Sequence, residues 1–155
     1  MAMVFKIFMK RGRQGFTLLE LLVTISIIGI LIGVGSVSFS TAQKRGRDSR
    51  RQADMKAMQT SLEQCYALDT RYPASVTEGS ALTCFGTAVT MNSVPSDPKD
   101  TYVYTYTVNA AAIKTSYCLC ALMETVGSGN ANTAGAVGVC ALGGTKNYFC
   151  VSNQQ

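Results

Sequence analysis

From Phe16 to Phe39 the chain reads FTLLELLVTISIIGILIGVGSVSF, 24 residues with one charge, Glu20. A helix needs roughly 20 apolar residues to cross the hydrocarbon of a bilayer, so this run is long enough to span one. Ahead of it lie Lys6, Lys10, Arg11 and Arg13, with no acidic residue among them. Basic flanks stay on the cytoplasmic side, which places the chain after Phe39 outside the cytoplasm. A secretory signal peptide is the competing reading, with Ser40-Thr41-Ala42 as its small-residue cleavage site. Signal-peptide apolar regions run to roughly 7–15 residues, well short of this one.

Glu20 needs its own explanation. A carboxylate in hydrocarbon is costly, and by default it marks a function and a partner. A free amine made by cleavage before Phe16 would lie one helical turn away, on the same chain or a neighbouring one. At low dielectric such a pair attracts strongly and selects register.

Arg13-Gln14-Gly15-Phe16-Thr17-Leu18-Leu19-Glu20 resembles the prepilin-type cleavage and methylation motif of type IV pilins and type II secretion pseudopilins. The resemblance implies that a membrane peptidase cuts between Gly15 and Phe16 and methylates the new N-terminal Phe16. It also implies that Glu20 neutralises the N-terminal amine of an adjacent subunit during assembly. The expected organisation is then a cytoplasmic leader over 1–15, a transmembrane and filament-core helix over 16–39, and an extracytoplasmic head over 40–155. The implied partners are further copies of the chain in a helical filament, the prepilin peptidase, an assembly platform with its ATPase, and membrane lipid. Many members of that family carry a proline near the position of Val37. Here Gly29, Gly33 and Gly35 are the candidate weak points of the helix. Gly29 and Gly33 also form a small-xxx-small pair.

Beyond the span, Lys44-Arg45-Gly46-Arg47-Asp48-Ser49-Arg50-Arg51 is a basic stretch suited to lipid phosphates, to acidic groups of a neighbouring subunit, or simply to a solvated helix face. It is too short to establish nucleic-acid contact. From Gln52 to Leu68 few residues break a helix, and Met55, Met58, Leu62 and Cys65 form one apolar stripe. Arg71-Tyr72-Pro73 ends it, because proline disfavours helical geometry in the preceding residue. Thr77 to Asn92 reads as loop with at most a short element. Tyr102–Val108, Ser116–Met123 and Asn147–Ser152 read as strands, and 127–135 as a small-residue loop. The expected class is α+β: a pilin fold in which a long N-terminal helix, membrane-spanning then amphipathic, packs on a small antiparallel sheet.

Tyr66–Pro73, Val94-Pro95-Ser96-Asp97-Pro98 and Tyr102-Val103-Tyr104 together resemble the major pseudopilin of type II secretion. That group binds calcium in a loop near its C-terminus, which makes Asp97 and Asp100 candidate ligands. No acidic residue follows Glu124, however, which argues against calcium in that C-terminal region.

Cys65, Cys84, Cys118, Cys120, Cys140 and Cys150 all follow the span, and an even number in a small exported head reads as disulfides. Six cysteines permit 15 connectivities. Cys118 and Cys120 share one strand face and are awkwardly placed to bond each other. The favoured arrangement joins Cys65 to Cys84 and uses the other four to tie the last strands together. No Cys-x-x-Cys pair supports a zinc site or a redox dithiol.

The chain has no His. No catalytic constellation can be assembled from its residues, and a structural filament subunit is the expected class. The alternative is a monomeric membrane-tethered binding domain, with Tyr102, Tyr104 and Tyr106 as its face. The formal charge of +5 comes mainly from the N-terminal tail: without its four basic residues, ten remain against nine acidic ones.

Overall fold

The computed structural model describes residues 15–85 and 88–154, without the side chains of Ser36 and Val37. The expected leader up to Gln14, with its four basic residues, lies outside the described residues. The chain divides into an N-terminal unit, 1–39, and a head, 40–155. One helix, α1 (Leu18–Asp69), runs in sequence through both.

In the N-terminal unit the apolar side chains of α1 are exposed, as expected of a segment whose solvent is not water. It carries the described stretch long and apolar enough to cross a membrane, with mean hydropathy 2.4. The helix continues unbroken through Gly29, Gly33 and Gly35, each with open space around it.

In the head, Met55, Met58, Leu62 and Cys65 are all buried, as their spacing demands. The helix stops at Asp69 because Thr70 turns left-handed (φ 52°) while still donating its N–H to the Tyr66 carbonyl at 2.7 Å. After it come β1 (Leu82–Thr83) and β2 (Val89–Met91), an antiparallel pair inside the region read as loop. The disulfide Cys65–Cys84 ties that hairpin to α1.

The main sheet is antiparallel, in the order β3 (Thr105–Val108), β4 (Tyr117–Leu122), β5 (Tyr148–Ser152). Its register pairs Thr105 with Cys120 and Cys120 with Cys150. β4 is buried on both faces. Tyr117, Leu119 and Ala121 join the helix stripe in one core, while Cys118 and Cys120 enter a second cluster with Ala131 and Cys150. Residues after β4 supply that second cover. Asn130 acts as a strand surrogate: its side-chain amide donates to the Cys150 carbonyl at 2.8 Å and accepts the Cys150 N–H at 2.7 Å.

The small-residue loop is therefore a packed layer held against β5. Gly129 lies so close to that strand that a Cβ would collide with the Tyr148 carbonyl. Gly129→Ala is expected to cost about 2–3 kcal/mol, by the usual penalty for overpacking a rigid site. Denaturant unfolding followed by tyrosine near-UV dichroism would show it, and a change below about 0.5 kcal/mol would refute this reading of the loop.

The expected strand over Tyr102–Val108 is shorter than its sequence suggested. Tyr104 gives its N–H to the Glu78 carboxylate (3.1 Å) instead of to a strand, and the ladder begins only at Thr105. The three tyrosines do not form a free binding face. Tyr104 donates to Asp54 Oδ2 at 2.7 Å, Tyr106 donates to the Pro73 carbonyl at 2.8 Å, and both rings pack on the core.

Candidate functional site

The first turn of α1 is a capping box. Thr17 precedes the helix as its N-cap, and Glu20 is the third helical residue. Glu20 Oε2 accepts from both the Thr17 N–H and the Thr17 hydroxyl at 2.9 Å, while the Glu20 N–H donates to Thr17 Oγ1 at 3.2 Å. The lone carboxylate of the apolar run thus takes up the Thr17 N–H, and Thr17 Oγ1 in turn takes up the Glu20 N–H, two of the donors at the helix start. Thr17-x-x-Glu20 was legible as this motif from spacing alone, and the sequence reading missed it. Phe16 lies just outside the helix and is 91% exposed; Gly15 beside it is exposed, and a Cβ there would meet no described atom. Farther along, Thr24 and Ser26 donate their hydroxyls to the Leu21 and Leu22 carbonyls at 2.8 Å, so neither donor is left unmet on the apolar helix.

A second polar cluster lies in the head, around the basic stretch. Lys44, Arg45 and Arg50 are exposed. Arg51 is not part of a solvated or lipid-facing surface, contrary to expectation for the whole stretch, and Arg47 is only partly exposed. Arg51 is completely buried and forks onto Asp97, with Nε to Oδ2 at 2.6 Å and Nη2 to Oδ1 at 2.7 Å. Its Nη1 reaches Asp48 at 2.8 Å and Glu124 at 3.0 Å. Arg47 makes its own two-pronged pair with Glu124, at 2.6 and 2.7 Å. Asp48 also accepts the Glu124 and Thr125 N–H groups, both at 2.9 Å. Tyr102 stacks its ring 5.2 Å from the Arg51 guanidinium and 4.6 Å from Lys99 Nζ.

This network answers the calcium question for the candidate pair. Both oxygens of Asp97 are taken by Arg51, and Oδ1 additionally accepts the Lys99 N–H at 2.8 Å. Asp100 is exposed. A guanidinium stands where a cation would have to bind, so Asp97 and Asp100 do not fit a calcium site. The second possible metal group, Cys118, Cys120, Cys140 and Cys150, has its sulfurs within 4.8 Å of one another. They are bonded as Cys118–Cys140 and Cys120–Cys150, and no cysteine is left as a thiol. Cys65–Cys84 is the pair that the sequence favoured, and the pairing of the other four, which the sequence left open, is set by the fold.

The hydrogen bonds from Arg47, with those from Arg51, hold the Glu124 carboxyl at about 2, down from 4.5. For Asp48 burial pushes upward, but the donors from Glu124, Thr125 and Arg51 outweigh it and keep it below the ordinary aspartate value. Both carboxyls are more acidic folded than unfolded, so the unfolded chain binds more protons in acid. Their stabilisation is complete above about pH 4.5 and is lost as pH falls through about 2. The melting temperature of the head should be flat from neutrality to about pH 5 and then drop, and Glu124→Gln should shallow that drop. Identical acid profiles for the two proteins would contradict this assignment.

The description "Prokaryotic N-terminal methylation motif" fits residues 10–36 of the chain. The chain is also similar to the type IV major pilin protein PilA of Myxococcus xanthus, 35% identical over 59 residues. That likeness covers 38% of this chain and 27% of the relative, about a quarter of its length. No solved structure matches the chain.

Proposed function

We propose that this type IV pilin-like chain is a structural subunit of a bacterial type IV filament, polymerised through its apolar helix. The observation that carries this reading is Glu20 itself: the one charge of the span, a few residues after a Gly15–Phe16 junction, inside the matched methylation motif. In the proposed sequence the chain waits in the cytoplasmic membrane with its head outside. Prepilin peptidase removes residues 1–15 and methylates Phe16. An assembly platform and its ATPase then draw the helix from lipid into a bundle of identical helices.

The capping box suits the waiting state, since Glu20 is satisfied within its own chain. On assembly the Phe16 amine of an adjacent subunit competes for the same carboxylate, and the charged pair sets the stagger. Close packing of the exposed apolar residues of 16–39 against neighbouring helices, with Gly29 and Gly33 allowing close approach, supplies the association energy as the helix leaves lipid. A surface pilus is favoured over a secretion pseudopilus by two observations: the similarity to a type IV major pilin, and the occupation of Asp97 by Arg51. Three disulfides suit a fibre exposed to shear and proteases. The tethered binding-domain alternative loses its candidate face, because the Tyr104 and Tyr106 hydroxyls are engaged inside the head.

The test is the intact mass of the full chain produced in a host with a prepilin peptidase. The expected product lacks residues 1–15 and carries about 14 Da, one methyl group, on Phe16. An uncleaved chain, or one cut after Ala42, would overturn the proposal.

A further inference from the structure

We infer that Cys118, Cys120, Cys140 and Cys150 form a single thiol-exchange site, entered at Cys140 by an external dithiol of the thiol–disulfide oxidoreductase class. The two disulfides lie side by side on one face of β4. Residues two apart on a strand project to the same face, and here the Sγ atoms of Cys118 and Cys120 approach to 3.3 Å without being bonded. Chain 131–140 closes tightly over them. A Cβ at Gly135, which sits at φ 73°, would press on Cys118 Sγ and on the Val139 carbonyl.

Access is uneven. Cys118, Cys120 and Cys150 are at most 3% exposed, whereas Cys140 is half-buried. Along the chain, Cys140 is flanked by Val137, Val139 and Leu142, which are 59%, 67% and 66% exposed. Apolar side chains left in solvent next to a reachable sulfur are what a protein dithiol with an apolar substrate groove would recognise.

Exchange proceeds by attack of a thiolate on a disulfide sulfur. The incoming thiolate bonds to Cys140 Sγ, the Cys118–Cys140 bond breaks, and its electron pair leaves on Cys118. The Cys118 thiolate, already inside the four-sulfur cluster, attacks Cys150 Sγ; the Cys118–Cys150 bond forms, Cys120–Cys150 breaks, and Cys120 leaves as thiolate. The dithiol's second thiol then attacks the mixed disulfide and releases Cys140. The reagent ends as a disulfide, and the head has gained two electrons and two protons, held as thiols on Cys140 and Cys120. Run in reverse, one oxidised partner removes two electrons through the one accessible sulfur: a single disulfide is added, and Cys118–Cys150 gives way to Cys120–Cys150 as Cys118–Cys140 forms. The buried Cys120–Cys150 bond is thereby reached without opening the core.

The full chain in detergent would be treated with dithiothreitol under native conditions, alkylated at intervals, and mapped by peptide mass. The early two-thiol species should carry label on Cys140 and on a cysteine of the former Cys120–Cys150 pair. Cys120–Cys150 should also be lost at least about tenfold faster than Cys65–Cys84, whose buried sulfurs report opening of the head. In the Cys118→Ala/Cys140→Ala double variant, loss of Cys120–Cys150 should slow at least about tenfold. Early label on Cys118 and Cys140 alone, with Cys120–Cys150 intact, would overturn the inference, as would an unchanged rate in the folded double variant. If that variant does not fold, the labelling pattern and the Cys65–Cys84 comparison decide on the unaltered chain.

Discussion

Replacing Arg51 with alanine is expected to destabilise the head by about 3–5 kcal/mol, the range for removing one partner from a buried ion pair. The side chains of Asp97, Asp48 and Glu124 are 1%, 5% and 6% exposed, so without the guanidinium three carboxylates lose their shared cation away from water. Set against the roughly 5–15 kcal/mol that holds a typical domain together, such a loss brings the head near its folding threshold. Arg51→Lys should recover only part of it, because an ammonium cannot fork onto Asp97 as Nε and Nη2 do. Adding Asp97→Asn to Arg51→Ala should cost less than the sum of the two single changes. Guanidinium unfolding of the four proteins would measure the cycle. An Arg51→Ala cost below about 1 kcal/mol would show that the network is incidental.

Glu20→Ala is expected to leave the head folded and Gly15–Phe16 cleavable, yet to reduce filament yield at least about a hundredfold. The substitution leaves a neighbour's Phe16 amine uncompensated at low dielectric, for which about 3 kcal/mol per subunit addition is a modest figure. That alone lowers each association constant by about two decades. Thr17→Val separates the two roles of the carboxylate. It removes the hydroxyl that Glu20 shares in the cap, at about 1 kcal/mol, but leaves the charge in place. Filaments sheared from cells and quantified against membrane-retained subunit would report both variants. Abundant Glu20→Ala filaments would remove the charge pair from the mechanism, and equal losses in the two variants would assign its importance to the cap.

Much of this protein was legible along the chain because the relevant signals are local. A span such as Phe16–Phe39 needs only its own side chains to declare itself, and Met55, Met58, Leu62 and Cys65 are buried because helical geometry puts them on one stripe. Alternation likewise placed Cys118 and Cys120 on one face of β4, which argued against a bond between them, while the fold decided that their partners are Cys140 and Cys150. The capping box of Thr17 and Glu20 was equally local, and its spacing would have disclosed it.

The rest was decided by residues that meet only after the head has folded. Arg47 and Arg51 have the local pattern of a solvated basic face, and the one nearby acidic partner, Asp48 on the same helix, does not by itself imply burial. Glu124 lies 77 positions from Arg47 and Asp97 lies 46 from Arg51, and folding alone brings them together. The same holds for Tyr104, drawn out of the expected strand by Glu78 26 positions earlier, and for the small-residue loop that becomes a second layer over β4. Periodicity reports which face a side chain shares with its neighbours in sequence. It does not report which charge or carbonyl the tertiary fold will place opposite, and at low dielectric that placement determines whether an arginine meets water or holds a core together.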